Sequence, residues 1–200
     1  MTLIKTCGMW RQEDIEAVNE ARPDFVGFVI DFPKSHRSVT PDQVFDLREH
    51  LRTDIEVVGV FVDEKPQVIA SLVEDCAIDI VQLHGSEDEA YIAQLRELCD
   101  APIIKAFKVR SAADVEAANA SSAELVLLDN GWGTGKAFDW SIAGGIGRRF
   151  ILAGGLTPQN LPEAIAQLHP WAVDLSSGLE TNRRKDPAKI LAAVNAVRSC

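Results

Sequence analysis

Short runs of apolar residues alternate with longer amphipathic stretches along almost the whole chain. The runs are rich in Val, Ile and Leu and recur roughly every 22–32 residues, at 3–7, 25–30, 57–62, 78–83, 102–107, 124–129, 150–153 and 172–176. That spacing accommodates a strand, a loop and a crossover helix. Continuous apolar strands are typical of parallel sheets that are covered on both faces. The pattern therefore predicts eight parallel β-strands separated by helices.

The predicted helices share a start signal, a Ser, Thr or Asp that can cap the first turn, often followed by proline. The signal occurs at Thr40-Pro41 before 42–52, at Ser86 before the acids 87–89, at Ser111 before 112–119, at Thr157-Pro158 before 159–168 and at Asp186-Pro187 before 188–198. Acidic residues in a first turn favour the positive helix N-terminus. After Trp140 the chain is short and rich in glycine, which predicts a shortened sixth helix.

Strict alternation of eight strands with about eight helices fits either a doubly wound open sheet or a closed barrel. Eight βα units is the number of a (β/α)8 TIM barrel, and 200 residues is near its lower size limit. No G-x-G-x-x-G motif follows the first strand, which weakens the dinucleotide-binding open sheet. We therefore predict an α/β protein with a single TIM-barrel domain over residues 1–200.

The composition excludes several classes of partner. A formal net charge of −10 disfavours a general nucleic-acid or anionic-membrane surface, and no apolar run approaches the ~20 residues of a membrane helix. The four cysteines are scattered and the chain start lacks a signal-peptide pattern, so we expect a cytoplasmic protein. Without an obvious apolar stripe on the surface, we expect a monomer.

Two predicted strands end in groups that can move protons. In a TIM barrel, chemistry lies at the carboxyl ends of the strands. Cys7 ends the first strand, and Lys5 shares its face because strand side chains alternate. Cys7 alone fits a small buried hydrophobe equally well, but a nearby ammonium favours the thiolate of a base. Asp129 ends the sixth strand, and a loop cap and a catalytic acid both remain open for it.

Other polar groups fall at or near the same rim. Gln82 and His84 share a face at the end of the fourth strand. No second histidine stands at metal-ligand spacing, so no metal site is predicted. Lys105 and Asp174 fit interior charges in a structural ion pair. Arg37, in a basic loop after the second strand, suits bidentate binding of a carboxylate.

Glycine-bearing segments follow the last two strands, where such barrels usually bind phosphate through backbone amides. They contain Gly154 and Gly155 after the seventh strand, and Ser176, Ser177 and Gly178 after the eighth. Ordinary turns could account for either segment alone. A third glycine-rich segment, 131–136, lacks P-loop spacing and is interpreted as a lid loop, with a plain connection as the alternative; its residues are Gly133, Gly135 and Lys136.

Taken in order, these segments resemble the phosphoribosylanthranilate isomerase family of tryptophan biosynthesis. Single segments are loose matches, whereas the ordered set is specific and extends over nearly the whole chain. The matching segments are 5–8 (KTCG), 25–28 (FVGF), 34–37 (KSHR), 58–62 (VGVFV), 81–85 (VQLHG), 127–129 (LLD), 133–140 (GTGKAFDW), 153–158 (AGGLTP) and 173–180 (VDLSSGLE).

The resemblance implies a cofactor-independent Amadori rearrangement of N-(5-phosphoribosyl)anthranilate to 1-(2-carboxyphenylamino)-1-deoxyribulose 5-phosphate. It implies that Cys7 is the general base, Asp129 the general acid and Arg37 the residue that holds the anthranilate carboxylate. We expect Lys5, Gln82 and His84 to assist substrate binding. The chain departs from the family pattern at Ser38, where an aromatic residue is common, and at 181–185, where a Pro-Gly-type turn is usual.

Three alternatives compete with this interpretation. Indole-glycerol-phosphate synthase normally carries an N-terminal extension and an early-strand lysine acid, whereas this sequence begins directly at the first strand. Pentose-phosphate epimerases need metal ligands on several strands, and four histidines are too few for that pattern. A non-catalytic sensor of phosphorylated ligands would not need both Cys7 and Asp129. Acceptance of the related aminosugar of histidine biosynthesis is left open.

Overall fold

The computed structural model describes residues 1–129 and 142–200, in which eight parallel strands close into a barrel. Each strand pairs with the next, and the last pairs with the first, where Lys5 lies opposite Asp174. The predicted TIM barrel is confirmed, and every predicted strand end lies within two residues of the observed one. The barrel strands are β1 Leu3–Cys7, β2 Phe25–Ile30, β3 Glu56–Phe61, β4 Ile80–Leu83, β5 Ile103–Lys108, β6 Leu125–Asp129, β7 Phe150–Leu152 and β8 Ala172–Leu175. A two-residue strand, Ser38–Val39, pairs with the end of β2.

Helices surround the barrel; all but the last connect consecutive strands, and the last follows β8. They are α1 Gln12–Ala21, α2 Pro41–Glu49, α3 Pro66–Glu74, α4 Glu89–Arg96, α5 Ala112–Ala120, α6 Leu161–Leu168 and α7 Pro187–Arg198. Between β6 and β7, the described part contains only the 3-10 helix Ile142–Gly145, in agreement with the predicted shortened helix. Nowhere in 1–129 or 142–200 is a helix long and apolar enough to cross a bilayer.

Strand alternation divides the core into two layers. One set of side chains fills the barrel interior and includes Cys7, Phe25, Val60 and Leu127. The other set packs between the strands and the helices and includes Ile4. Because side chains alternate along a strand, Thr6 points outward as Ile4 does. The face that Lys5 and Cys7 were predicted to share is therefore the interior face.

Two predicted helix starts are wrong. Helix α4 begins at Glu89, and its cap is Asp88, whose carboxylate accepts from the Tyr91 N–H at 2.9 Å. Ser86 lies two residues earlier, because its amide and hydroxyl bind Asp63 instead. Because Ser86 is bound to Asp63, which lies outside the helix, it does not cap α4.

Helix α6 also begins later than predicted, at Leu161. Asn160 closes the preceding turn: its Oδ1 accepts from the Thr157 N–H at 2.8 Å, and its Nδ2 donates to the Gly155 carbonyl at 3.1 Å. These bonds keep Thr157 in the turn and stabilise the loop after β7. By contrast, Thr40 caps α2 as predicted.

Candidate active site

A cavity of about 360 Å³ opens at the carboxyl ends of the strands. Its lining brings together every predicted site residue in the described ranges except Lys5, namely Cys7, Arg37, Gln82, His84, Asp129, Gly154, Gly155, Ser176, Ser177 and Gly178. Gly133, Gly135 and Lys136, of the predicted lid loop, lie outside the described residues. Residues far apart in sequence, most of them at or after strand ends, thus meet in one cavity.

Cys7 lies at the interior end of β1 and is 7 % exposed. Gly27, its partner on β2, leaves the space that its sulfur occupies: a Cβ at residue 27 would lie 2.8 Å from the Cys7 Sγ and 3.1 Å from the Lys5 Cε. Burial raises the pKa of the Cys7 thiol, although the Lys5 ammonium acts in the opposite direction. The expected thiolate-favouring effect of Lys5 is therefore present but does not exceed the cost of burial.

Lys5 lies below the cavity rather than in its wall. Its Nζ donates to the Asp174 Oδ2 at 3.0 Å, and both side chains are buried. Although burial opposes its charged form, Asp174 and Cys7 raise the pKa of Lys5 overall. The predicted structural ion pair is therefore corrected, since Asp174 pairs with Lys5 while Lys105 binds Glu87 at 2.7 Å.

Asp129 faces His84 across the cavity, with 3.7 Å between the Oδ2 and the His84 Nε2. The Gln82 Nε2 lies 3.0 Å from the His84 Nδ1. When the amide donates in this contact, Nδ1 is the acceptor and the ring proton lies on Nε2, toward Asp129. Within the parts of the chain that the structure describes, no group of three or more His, Cys, Asp or Glu could hold a metal ion.

Arg37 forms a bidentate pair with Glu180, through Nε to Oε1 at 2.5 Å and Nη2 to Oε2 at 2.9 Å. Lys185 binds the same carboxylate, with 3.0 Å between Nζ and Oε1. Burial would raise the pKa of Glu180, but its bonds to Arg37 and the charge of Lys185 lower it to about 2. Glu180 is therefore an anion that holds two cations beside the cavity.

The two glycine segments present backbone amides to the cavity. Gly154 and Gly155 both adopt positive φ angles, 89° and 67°, which glycine tolerates without strain. Within residues 1–129 and 142–200, no acceptor binds their N–H groups. Ser177 and Gly178 lie opposite them in the short 3-10 helix Ser177–Leu179. This arrangement can accept a phosphate group.

Two buried oxygens in the cavity wall have no hydrogen-bond partner among the described residues. They are the Gln82 Oε1 and the Asp174 Oδ1. An acceptor that is buried without a donor costs free energy, so each is suited to a ligand that supplies hydroxyl groups. A polyhydroxylated ligand between the anion-binding ends would meet this requirement.

Comparison with known proteins agrees with this arrangement. The family model described as N-(5'-phosphoribosyl)anthranilate (PRA) isomerase matches residues 4–196. The chain belongs to this family. The isomerase of that name from Endomicrobium trichonymphae is 43 % identical over 204 residues, with all of both chains covered. The predicted family and the assignment of the chain as an isomerase are confirmed.

Solved structures of phosphoribosylanthranilate isomerases share the fold. The enzyme from Thermotoga maritima superposes with a TM-score of 0.89 at 33 % identity, with all of both chains covered. Another solved structure, of an isomerase in complex with reduced 1-(o-carboxyphenylamino)-1-deoxyribulose 5-phosphate, has a TM-score of 0.87 at 32 % identity, again with full coverage of both chains. That compound combines a phosphate, a hydroxylated chain and an aromatic carboxylate.

The sequence did not indicate the part that three residues at or beside this cavity play in its geometry. Asp174 was assigned a structural pair, although it lies two residues before Ser176 on the same face and lines the cavity. Glu180 ends the family segment 173–180, but the pattern gives it no role. Lys185 lies in the loop that departs from the family pattern, and the structure buries it against Ser176. For Asp174, the period-two spacing was a signal that could have found it.

Proposed function

We propose that the cavity binds N-(5-phosphoribosyl)anthranilate with its two anionic groups at opposite ends. The phosphate lies on the amides of Gly154 and Gly155 and of the segment 176–178. The anthranilate carboxylate meets Arg37. Ribose hydroxyl groups donate to the Gln82 Oε1 and the Asp174 Oδ1. The observation that carries this proposal is the placement of Cys7 and Asp129 in one cavity, together with donors for two anions.

In the proposed reaction, Asp129 donates a proton to the furanose ring oxygen. The C1–O bond breaks, and the nitrogen lone pair forms an iminium with C1. Cys7, as a thiolate, removes the C2 proton, and the electron pair released from C2 forms a C1–C2 double bond while the nitrogen becomes neutral. The resulting enolamine tautomerises to the ketose when C1 gains a proton and the C2 hydroxyl loses one. A general acid and a general base suffice for these steps.

His84 and Lys5 assist the reaction by acting on Asp129 and Cys7, without contacting the reacting carbon. His84 places an N–H toward the Asp129 Oδ2, which orients that carboxyl group toward the ring oxygen. Lys5 binds Asp174, and its positive charge favours the Cys7 thiolate from below the cavity. Its proposed role is thus electrostatic, rather than the contact with substrate that the sequence predicted.

The proposal is tested by following the fluorescence of freshly prepared phosphoribosylanthranilate with the wild type, Cys7→Ala and Asp129→Asn, each with EDTA present. We expect rapid decay with the wild type alone. Losing an acid or base of this kind costs about 10²–10⁴-fold in rate. Retention of most activity by either variant would remove that residue from its role, and inhibition by EDTA would contradict independence from metals.

A control separates catalysis from binding. Asp129→Asn should still bind the product, because the phosphate and carboxylate contacts do not involve residue 129. Product binding without any wild-type turnover would favour a sensor of phosphorylated ligands. If phosphoribosylanthranilate is inert, the same assay with the related aminosugar of histidine biosynthesis tests the nearest alternative substrate.

We also propose that the isomerase is a monomer. The exposed large apolar side chains in the described ranges, Met1, Leu98 and Leu191, are scattered in sequence. One solved relative from Thermotoga maritima is named as dimeric, so the family does not fix the state. Size-exclusion chromatography with light scattering should give a mass near 21.8 kDa, and a twofold mass would overturn the proposal.

A cytoplasmic location is our further proposal. All four cysteines are free thiols in the structure, and free thiols persist in a reducing compartment. Fractionation of the producing cells, with a cytoplasmic marker enzyme as control, should place the activity in the cytoplasmic fraction. Activity in another fraction would contradict it.

A further inference from the structure

A group of four residues, in which Lys185 is buried and the others are partly buried, joins the two proposed anion-binding ends of the cavity. We call it the Glu180 cluster, and it consists of Arg37, Ser176, Glu180 and Lys185. Besides its bond to Glu180, the Lys185 Nζ donates to the Ser176 carbonyl at 2.9 Å and lies 3.4 Å from the Ser176 Oγ. The cluster therefore runs from Arg37, at the proposed carboxylate end, to the start of the proposed phosphate segment.

The backbone fixes Glu180 and Lys185 opposite each other. The strands Glu180–Thr181 and Arg184–Lys185 form an antiparallel hairpin in which residues 180 and 185 are paired. Asn182 and Arg183 form its turn, with positive φ angles of 52° and 61°. Two consecutive residues of positive φ are typical of the tight type I′ hairpin turn. The loop that departs from the family pattern is therefore an ordered hairpin that holds the pair.

The cluster carries more positive than negative charge. Arg37 and Lys185 are two cations on one carboxylate, and the Lys185 and Glu180 side chains are 1 % and 7 % exposed. The guanidinium of Arg37 uses two of its five N–H donors to bind Glu180. In the described residues no further acceptor binds the guanidinium, so its Nη1 edge can bind a second carboxylate. The surplus charge suits an anionic substrate.

We propose that Glu180 is a positioning residue that sets the distance between the groups that hold the carboxylate and the phosphate of the substrate. Its carboxylate fixes the guanidinium of Arg37 directly. It also fixes Lys185, which in turn holds the Ser176 peptide. This inference rests on the proposed function, since it assigns a role within the same site.

The test compares Glu180→Gln with Asp79→Asn. Asp79 forms an equivalent bidentate pair with Arg48, but before the start of β4, at the opposite end of the barrel. Both substitutions replace a paired carboxylate by an amide, so both should lower thermal stability. Only Glu180→Gln should raise KM for phosphoribosylanthranilate, by about tenfold, the factor that corresponds to one weakened charged contact, while kcat falls less. Equal KM values for the two variants would overturn the inference.

A double-mutant cycle checks that Glu180 acts through Arg37. Once Arg37→Ala has been made, adding Glu180→Gln should change KM by less than half of its effect alone on a logarithmic scale, because contacting residues do not act additively. Full additivity would contradict positioning of Arg37 by Glu180.

A chemical readout keeps this inference separate from the proposed function. Phenylglyoxal should modify Arg37 faster in Glu180→Gln than in the wild type, as followed by peptide mass spectrometry, while Arg48 reactivity in the same samples stays unchanged. If the wild type shows no isomerase activity but Arg37 reactivity rises, the proposed function fails and the positioning stands. Unchanged Arg37 reactivity means that Glu180 does not hold it, whatever the activity.

Discussion

At the scale of single residues, the environment of Cys7 combines two opposing effects. Burial disfavours the thiolate, whereas the ammonium of Lys5 favours it, and the net effect is a raised pKa. A base must be deprotonated to act, so in the proposed reaction only the thiolate fraction of Cys7 can remove the C2 proton. The position of Cys7 on the interior face thus keeps its thiol away from water and makes the proposed base dependent on pH.

The raised pKa of Cys7 gives a signed prediction. The rate of Cys7 alkylation by iodoacetamide should rise with pH and reach half its maximum above the ordinary thiol value of about 8.5. The reaction is best followed in a Cys76→Ser, Cys99→Ser, Cys200→Ser background, in which Cys7 is the only thiol. A midpoint well below the ordinary value would show that Lys5 outweighs burial.

Gly27 supplies a second prediction at this scale. In Gly27→Ala, the new methyl group would overlap the Cys7 Sγ, so the sulfur must move. A displaced base should lower kcat by about 100-fold. Gly59→Ala is a matched control, because its Cβ would also lie 2.8 Å from a neighbour, the Ile78 Cδ1, away from the cavity. That control should lose stability and keep kcat, and a similar kcat loss in both variants would indicate a general packing effect.

The sequence predicts residues whose positions depend on local pattern better than it predicts contacts between distant loops. The locations of Cys7 and Asp129 followed from where two apolar runs end. The partner of Arg37 did not, because Glu180 lies 143 residues away and a salt-bridge partner depends on how distant loops meet. Lys105 and Asp174 were interpreted as interior charges, yet their partners came from other elements.

At the scale of elements, strands were predicted more accurately than helix starts. A run of apolar residues at this spacing is readily assigned to a buried strand. A predicted capping residue, by contrast, can form its hydrogen bonds with any nearby polar group instead of with the helix. Glu87, next to the predicted cap Ser86, shows this, since its carboxylate accepts from the amides of Asp63 and Gly85 and binds Lys105. Such a network forms only after three strands have come together, so local sequence could not show it.

The observed cap of α4 can be tested directly. Asp88→Ala removes the acceptor for the Tyr91 N–H and should lower the free energy of unfolding by about 1 kcal/mol. Asp100→Ala, which removes the same charge from an exposed position just before β5, should have little effect. Urea unfolding followed by circular dichroism would measure both. Equal losses would mean that charge, not capping, accounts for the effect.

At the scale of the whole molecule, the two ends of the barrel serve different purposes. At the amino end, an acid just before a strand accepts from the first N–H groups of a neighbouring strand and binds an Arg from a helix end. The repeated pairs are Asp24 with Arg198, Asp79 with Arg48 and Glu124 with Arg96. The carboxyl end instead holds the cavity, with the surplus cations and the unpartnered oxygens. Stability and chemistry are thus separated along the barrel axis.

Glu180 is an exception to this separation, because it lies at the carboxyl end, beside the cavity, and also contributes to stability. Its pKa is lowered from 4.5 to about 2, so its ionised form stabilises the fold above pH 4.5 and this contribution is lost as pH falls through 2. From about pH 6 to about pH 3, the unfolding free energy of the wild type should therefore fall more steeply than that of Glu180→Gln.

Glu163→Gln is the matched control for that comparison. Glu163 is exposed on α6, and in the described ranges it forms no ion pair. Its substitution should leave the slope of stability against pH unchanged in urea titrations. Parallel curves for the wild type and Glu180→Gln would mean that Arg37 and Lys185 bind the carboxylate too weakly to matter for folding. A shallower curve for Glu180→Gln alone would mean that the residue proposed to position the substrate also stabilises the catalytic end of the barrel.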